Sequence, residues 1–430
     1  MQLINEVLAD GIRCLSLPES RFKTNRLSIA MLLPLNRKTA SAGALLPYLL
    51  RRSCAAYPDY TALQRRLNEL YGASITAEVA RIGEAQALVL TAASIDDRFA
   101  LAGEPVAESC ADLLRQMLFE PVLENGFFRS SDVETEKRCL IERMDAEIND
   151  KRWYARRRCE EILCENEAYA IDRYGSPESA AALTSKELTE TWRRDLAGAR
   201  VQLILQGGAA AMHAAGPLRE AMAGVPGRKP LDCPTDTAAA NPRVREQVER
   251  MNVNGSKLVM GFRTGNAEPD GDVAAVRLMN ALFGGTPHSL LFRNVREKLS
   301  LCYYCSSTYD RLKGVMLVES GVDESNAGRA REEILRQLDA VKRGDFSDED
   351  LESAQMSARQ TFEAVNDSQN AQASWYLGQC LLPGVSTPEE ASKALADVTK
   401  ERVVAAAERI RLESIYLLAQ DHVEEGSRNV

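Results

Sequence analysis

Residues 283–303 set an Arg and a Tyr behind a glycine break and a short apolar helical run. The order is Phe283-Gly284-Gly285, then Ser289-Leu290-Leu291-Phe292, then Val295-Arg296-Glu297 and Tyr303. A guanidinium offers a fork of N–H donors to carbonyl oxygen, and a phenol offers one proton to a developing negative charge. Together these groups could hold a peptide backbone. Plainer roles compete with that one. Arg296 could be a helix-end cation favoured by the macrodipole, and Tyr303 an ordinary strand aromatic. Gly284 and Gly285 could end a helix or form a substrate-facing loop. The chain has three histidines, His213, His288 and His422, and His288 reads as a surface or capping residue. A serine or cysteine nucleophile needs a histidine base, and these scattered histidines, with no nucleophile motif, disfavour an autonomous hydrolase of that kind. Cys302-Tyr-Tyr-Cys305 has zinc-knuckle spacing, but no second pair follows. In a regular strand its two thiols would face opposite sides.

The elements that must position these residues recur twice. Each half opens with a strand pattern, Leu27–Pro34 and Lys257–Arg263. Helical segments follow at 41–53 and 59–70, and again at 271–284 and 287–299. Hairpin-like strand pairs come next, around Thr76–Ile95 and Leu301–Val322. Long helical patterns occupy 104–119 and 129–165, then 325–341 and 347–370. Each half closes on an apolar strand, Val201–Gln206 and Ser414–Ala419. Pro and Gly at 224, 226, 227, 230 and 234 mark an exposed linker. The expected division is a domain over 1–222, a linker over 223–244 and a domain over 245–430. The expected class is α+β: two tandem homologous domains, each an antiparallel-rich sheet covered by helices, together forming a clamshell half.

This order, with residues 283–303, resembles the pitrilysin and insulinase-like zinc peptidases, the superfamily of mitochondrial processing peptidase, over about residues 11–420. In active members His-x-x-Glu-His on one helix face binds zinc and activates water. Here the matching helix is Gly43-Ala-Leu-Leu46-Pro-Tyr-Leu49-Leu50-Arg51. The resemblance puts Leu46 and Leu50 at the two ligand positions and Leu49 at the base, an apolar stripe with no metal donor. Glu136 matches a supporting glutamate, and Arg143 stands at the third ligand position, where a guanidinium would repel zinc. No metal and no cofactor are therefore expected. In active relatives an Arg and a Tyr of the second domain hold the peptide and the oxyanion, and Arg296 and Tyr303 match them in spacing and flanks. Ser300 departs from the glycine usual before the Leu. The resemblance implies a non-catalytic subunit, akin to the inactive partners of bacterial two-chain peptidases, one group of which is associated with modification of elongation factor P. Its partner would be a homologous catalytic chain with His-x-x-Glu-His, and its substrate a peptide held by Arg296, Tyr303, Gly284 and Gly285. The alternative is a peptide-binding or scaffolding protein of the same fold with no role in proteolysis.

The net charge of −9 argues against a nucleic-acid surface. The run Arg156-Arg157-Arg158 precedes Glu160, Glu161, Glu165 and Glu167, which reads as one solvated helix face. No window of the sequence approaches eighteen uninterrupted apolar residues, so no membrane span is expected. The start, Met1-Gln2-Leu3-Ile4-Asn5-Glu6, lacks the pattern of a secretory signal. Ten scattered cysteines then read as reduced thiols of a cytoplasmic protein.

Overall fold

The computed structural model describes residues 3–421; Met1, Gln2 and residues 422–430, His422 among them, lie outside the described residues. The first half holds β1 Ile4–Ala9, β2 Ile12–Pro18, β3 Thr24–Pro34, β4 Ser74–Ile82 and β5 Ala85–Ile95. It continues with the two-residue strands β6 Leu123–Glu124 and β7 Phe127–Phe128, and then β8 Arg200–Gly207. The second half holds β9 Arg245–Met251, β10 Ser256–Arg263, β11 Cys302–Asp310, β12 Val315–Val322 and β13 Arg411–Gln420.

Two sheets share one strand order. The first runs β4-β5-β3-β8-β2-β1 and the second β11-β12-β10-β13-β9. In each, the closing strand of the half pairs in parallel with an early strand, β8 with β2 and β13 with β9, while the other neighbours are antiparallel. A common order with the parallel pair in the same place is the mark of an internal duplication. The protein is a mixed α/β fold with helices on its sheets, as the strand-then-helix order of each half implies. Among the described residues, no helix is long and apolar enough to cross a membrane.

The chain forms two compact units. The first takes the residues up to Asp145, then Ile171–Pro234 and Ser368–Leu381. The second takes Ala146–Ala170, Thr235–Asp367 and the chain from Leu382. Each unit thus includes a segment drawn from the other half of the sequence.

In the first unit, Leu27, Ile29, Met31 and Leu33 of β3 alternate into the main core with Leu45, Leu46, Leu49 and Leu50. The helix Gln369–Leu377 is fastened to this sheet by amides. Gln206 Nε2 donates to Gln369 O at 2.9 Å and Gln372 Oε1 at 3.0 Å, and Gln369 Nε2 donates to Thr24 O at 2.9 Å.

In the second unit, the helix Lys151–Leu163 packs on β10 and β13, where Gly261 leaves room for it. A Cβ at 261 would run into Ser414 Oγ and stand 3.2 Å from Leu163 Cδ2. The helical pattern over 129–165 is broken at Asp150 into Ser130–Asn149 and Lys151–Leu163. The Asp150 carboxylate accepts the Arg152 and Trp153 N–H groups at 3.1 and 3.0 Å, which starts a new helix.

Candidate functional site

The helix Ala40–Leu50 is buried along its whole length, with Leu46, Leu49 and Leu50 only 0, 5 and 1% exposed in the core. Three leucines there contribute packing, and none has a lone pair for a metal. Arg143 turns to Tyr48 instead. Its Nη1 donates to the Tyr48 hydroxyl at 2.7 Å, and the guanidinium carbon lies 4.3 Å from the ring centroid. Glu136, buried, accepts from Arg52 Nη1 at 2.7 Å, and Asp132 lies 3.4 Å from the same guanidinium. Arg143, Glu136, Arg52 and Asp132 thus each have a counter-charge or ring supplied by their own chain. Among the described residues, no three His, Cys, Asp or Glu side chains gather as a metal site. The residues present do not fit the zinc that the resemblance associates with this position.

The second unit carries the Arg/Tyr segment. Residues Ala281–Gly285 and Phe292–Lys298 wind as π-helix, not as the ordinary helix that apolar spacing suggests. Such widened turns are frequent at functional sites. Arg296 stacks on Phe292, four residues before it, with the guanidinium carbon 4.6 Å from the ring centroid, a cation–π contact that steers the long side chain. The Glu297 carboxylate lies 3.6 Å from Nε, and the Arg296 side chain remains 41% exposed.

Gly284 is buried, and a Cβ there would stand 2.7 Å from Leu291 Cδ1 and 2.9 Å from the Ser307 amide. Its lack of a side chain admits β11. Gly285, beside it, faces solvent. Neither glycine takes the left-handed conformation of a helix-ending glycine.

Ser300 does take it, with φ of 48°. This is the position where the resemblance expects glycine, and the backbone explains why: an L-residue there carries a cost that glycine avoids. Ser300→Gly is expected to raise the unfolding free energy by about 1 kcal/mol. Urea denaturation reads it, and a loss of stability would contradict the strained assignment.

Tyr303 stands on a β-bulge. Cys302 pairs with Val322 and Tyr304 with Gly321, so Tyr303 is an extra residue in β11. The bulge throws it outward to 66% exposure. Its hydroxyl donates to Asp323 Oδ1 at 2.9 Å, and that bond pushes the phenol pKa up. The same bulge overturns the expectation that Cys302 and Cys305 face opposite sides. One inserted residue restores them to a common face, opposite Val322 and Ser320. Neither Phe292 as the support of Arg296 nor Asp323 as the partner of Tyr303 is signalled by residue type. The first is a contact between residues four apart on one helical stretch, and the second follows from the strand register.

The description "Peptidase M16 inactive domain" matches residues 182–358. YmfF of Bacillus subtilis, named a probable inactive metalloprotease, is 30% identical over 428 residues, covering 97% of this chain and 98% of that protein. The chain belongs to the peptidase M16 inactive domain family. The resemblance read from the Arg/Tyr segment and the leucine stripe is borne out at this level. Among solved structures, a conserved protein from Enterococcus faecalis superposes with a TM-score of 0.87 at 25% identity, covering 97% of this chain and 99% of that one. The peptidase M16 inactive domain from Pseudomonas fluorescens has a TM-score of 0.78 at 16% identity, covering 98% and 99%, which shows a shared fold. Within this M16 fold the helix Ala40–Leu50 is occupied by core leucines, and Arg296 and Tyr303 are exposed.

Proposed function

We propose that this chain is a non-catalytic subunit that holds peptide for a homologous partner chain carrying intact His-x-x-Glu-His. The observation that carries the reading is an asymmetry. The positions that would bind metal are filled by buried leucines and a self-paired arginine, whereas Arg296 and Tyr303 stay exposed and separately supported. A buried leucine stripe adds stability without any donor. An exposed guanidinium stacked on Phe292 and an outward phenol on a bulge are costlier ways to make a surface. Arg296 would give its N–H fork to a peptide carbonyl. Tyr303 would exchange Asp323 for the substrate oxygen, while Gly285 lets the chain pass close. The reading extends to a cytoplasmic setting and to the bacterial two-chain group associated with modification of elongation factor P, and there it is supported by residue resemblance alone.

Co-expression and co-purification with a candidate homologue carrying His-x-x-Glu-His, followed by peptide cleavage assays, tests the proposal. Arg296→Ala is expected to lower cleavage by the pair about 100-fold, the scale of losing one oxyanion donor, with the pair still assembled. Unchanged cleavage would overturn the peptide-holding role and leave a scaffold of the same fold.

A further inference from the structure

The bulge that exposes Tyr303 has a second effect. The residue opposite Cys302 is Val322 and the residue opposite Cys305 is Ser320, two apart on β12. Directly paired residues share a face, as do residues two apart on one strand. Cys302 and Cys305 therefore sit side by side, although three apart in sequence. Cys302 is partly open to solvent, while Cys305 is 5% exposed behind it. The outer thiol is reachable and the inner one shielded, the arrangement of an attacking and a resolving cysteine.

We propose that Cys302 and Cys305 form a reversible redox pair that a peroxide or a small disulfide oxidises to an intrachain disulfide. With hydrogen peroxide, the Cys302 thiolate attacks one oxygen, the O–O bond breaks, and the departing hydroxide takes a proton to leave as water. The resulting sulfenic acid is attacked by Cys305, the S–S bond forms, and a second water leaves. Two thiols and one peroxide give one disulfide and two waters, with two electrons passing from sulfur to oxygen. A glutathione-like disulfide gives the same product by two exchanges and releases two thiols.

The electrostatics agree with the geometry. The Cys302 thiol is lowered to about 7, chiefly by the neighbouring Cys305 thiol, against the effect of burial and with help from Ser320 and the Arg296 cation. Cys305 is pushed well up by the same pairing and by burial. The thiolate character thus falls on the accessible sulfur. The buried thiols Cys110, Cys159 and Cys164 are all raised by desolvation. Oxidation would tie the two ends of the bulge, with Tyr303 standing between them; this consequence, unlike the pairing itself, rests on the peptide-holding reading.

The test uses the full-length protein without partner or peptide, so its failure is separate from any failure of that reading. The protein is treated with graded hydrogen peroxide, unfolded, alkylated and mapped by mass spectrometry. Cys302 and Cys305 are expected to leave the alkylatable pool together, as one disulfide, while Cys110, Cys159 and Cys164 remain alkylatable. Dithiothreitol is expected to restore both. In Cys305→Ser, Cys302 is expected to stop at a sulfenic acid that dimedone traps. Oxidation of wild-type Cys302 to a persistent sulfenic or sulfinic acid with Cys305 still alkylatable would overturn the proposal. So would a pair that stays reduced while the buried thiols react.

Discussion

Replacing Arg263 by alanine is expected to lower the unfolding free energy by about 3–5 kcal/mol. Arg263 lies on β10 with a side chain 4% exposed, between the carboxylates of Glu167 and Glu413. It also donates to Leu163 O at 2.9 Å. Lys313, wholly buried, reaches Glu167 Oε2 at 2.5 Å, and Arg245 reaches Glu413 Oε1 at 2.8 Å. Removal of Arg263 strands part of two carboxylates in the interior, and that penalty exceeds the net worth of the intact cluster. Arg263→Lys keeps the charge but cannot span both acids, so it should fall between wild type and alanine. Burial alone would raise the Glu167 carboxyl; Arg263 and Lys313 outweigh it and hold it below the usual range. Because the folded pKa is depressed, this contribution is present at neutral pH and fades as pH falls through the glutamate range. Urea titrations at pH 7 settle the matter, and a change within 1 kcal/mol would refute the cluster's role.

Cutting the chain between Pro234 and Thr235 is expected to leave two pieces, neither of which unfolds cooperatively alone. The first piece lacks Ser368–Leu381, which includes the fully buried Tyr376 and the amides that seal Gln206 and Thr24. Losing one buried aromatic side chain costs about 3–5 kcal/mol, a large share of an ordinary domain's stability of about 5–15 kcal/mol. The second piece lacks Ala146–Ala170. Its core joins Ala155, Cys159, Leu163 and Tyr169 to Val259, Leu317, Tyr416 and Leu418, so β10, β12 and β13 would be bared to water. Separate expression with near-ultraviolet circular dichroism and urea unfolding reads the outcome, and mixing the pieces should restore a cooperative transition. A sharp transition from either piece alone would contradict the exchange of segments.

The strands that bury alternate or continuous apolar residues were legible in the residues themselves, as at Leu27–Pro34, Lys257–Arg263 and Ser414–Ala419, because burial dictates their composition. β9 was not. Its sequence, Arg-Glu-Gln-Val-Glu-Arg-Met, is half-exposed and charged, and only parallel pairing with β13 makes it a strand. Helix Gln369–Leu377 was not read from the sequence, where the helical pattern ended at 370, and nothing local encodes which sheet it covers. In the site, the leucines at 46, 49 and 50 announce a packed helix by type alone. The bulge at Tyr303 and the π-turns around Gly284 and Arg296 depend on a register and a widened turn, which no period reveals.

The exchange of segments also sets an order in time. A chain made from its amino terminus holds nearly all of its first unit by Pro234, yet the helix that closes that unit ends at Leu377. Ala146–Ala170 must meanwhile wait for the strands of the second unit. During synthesis at about 5–20 residues per second, the first sheet stays uncapped for on the order of ten seconds. A cell making this protein must therefore keep an unfinished hydrophobic surface from finding the wrong cover.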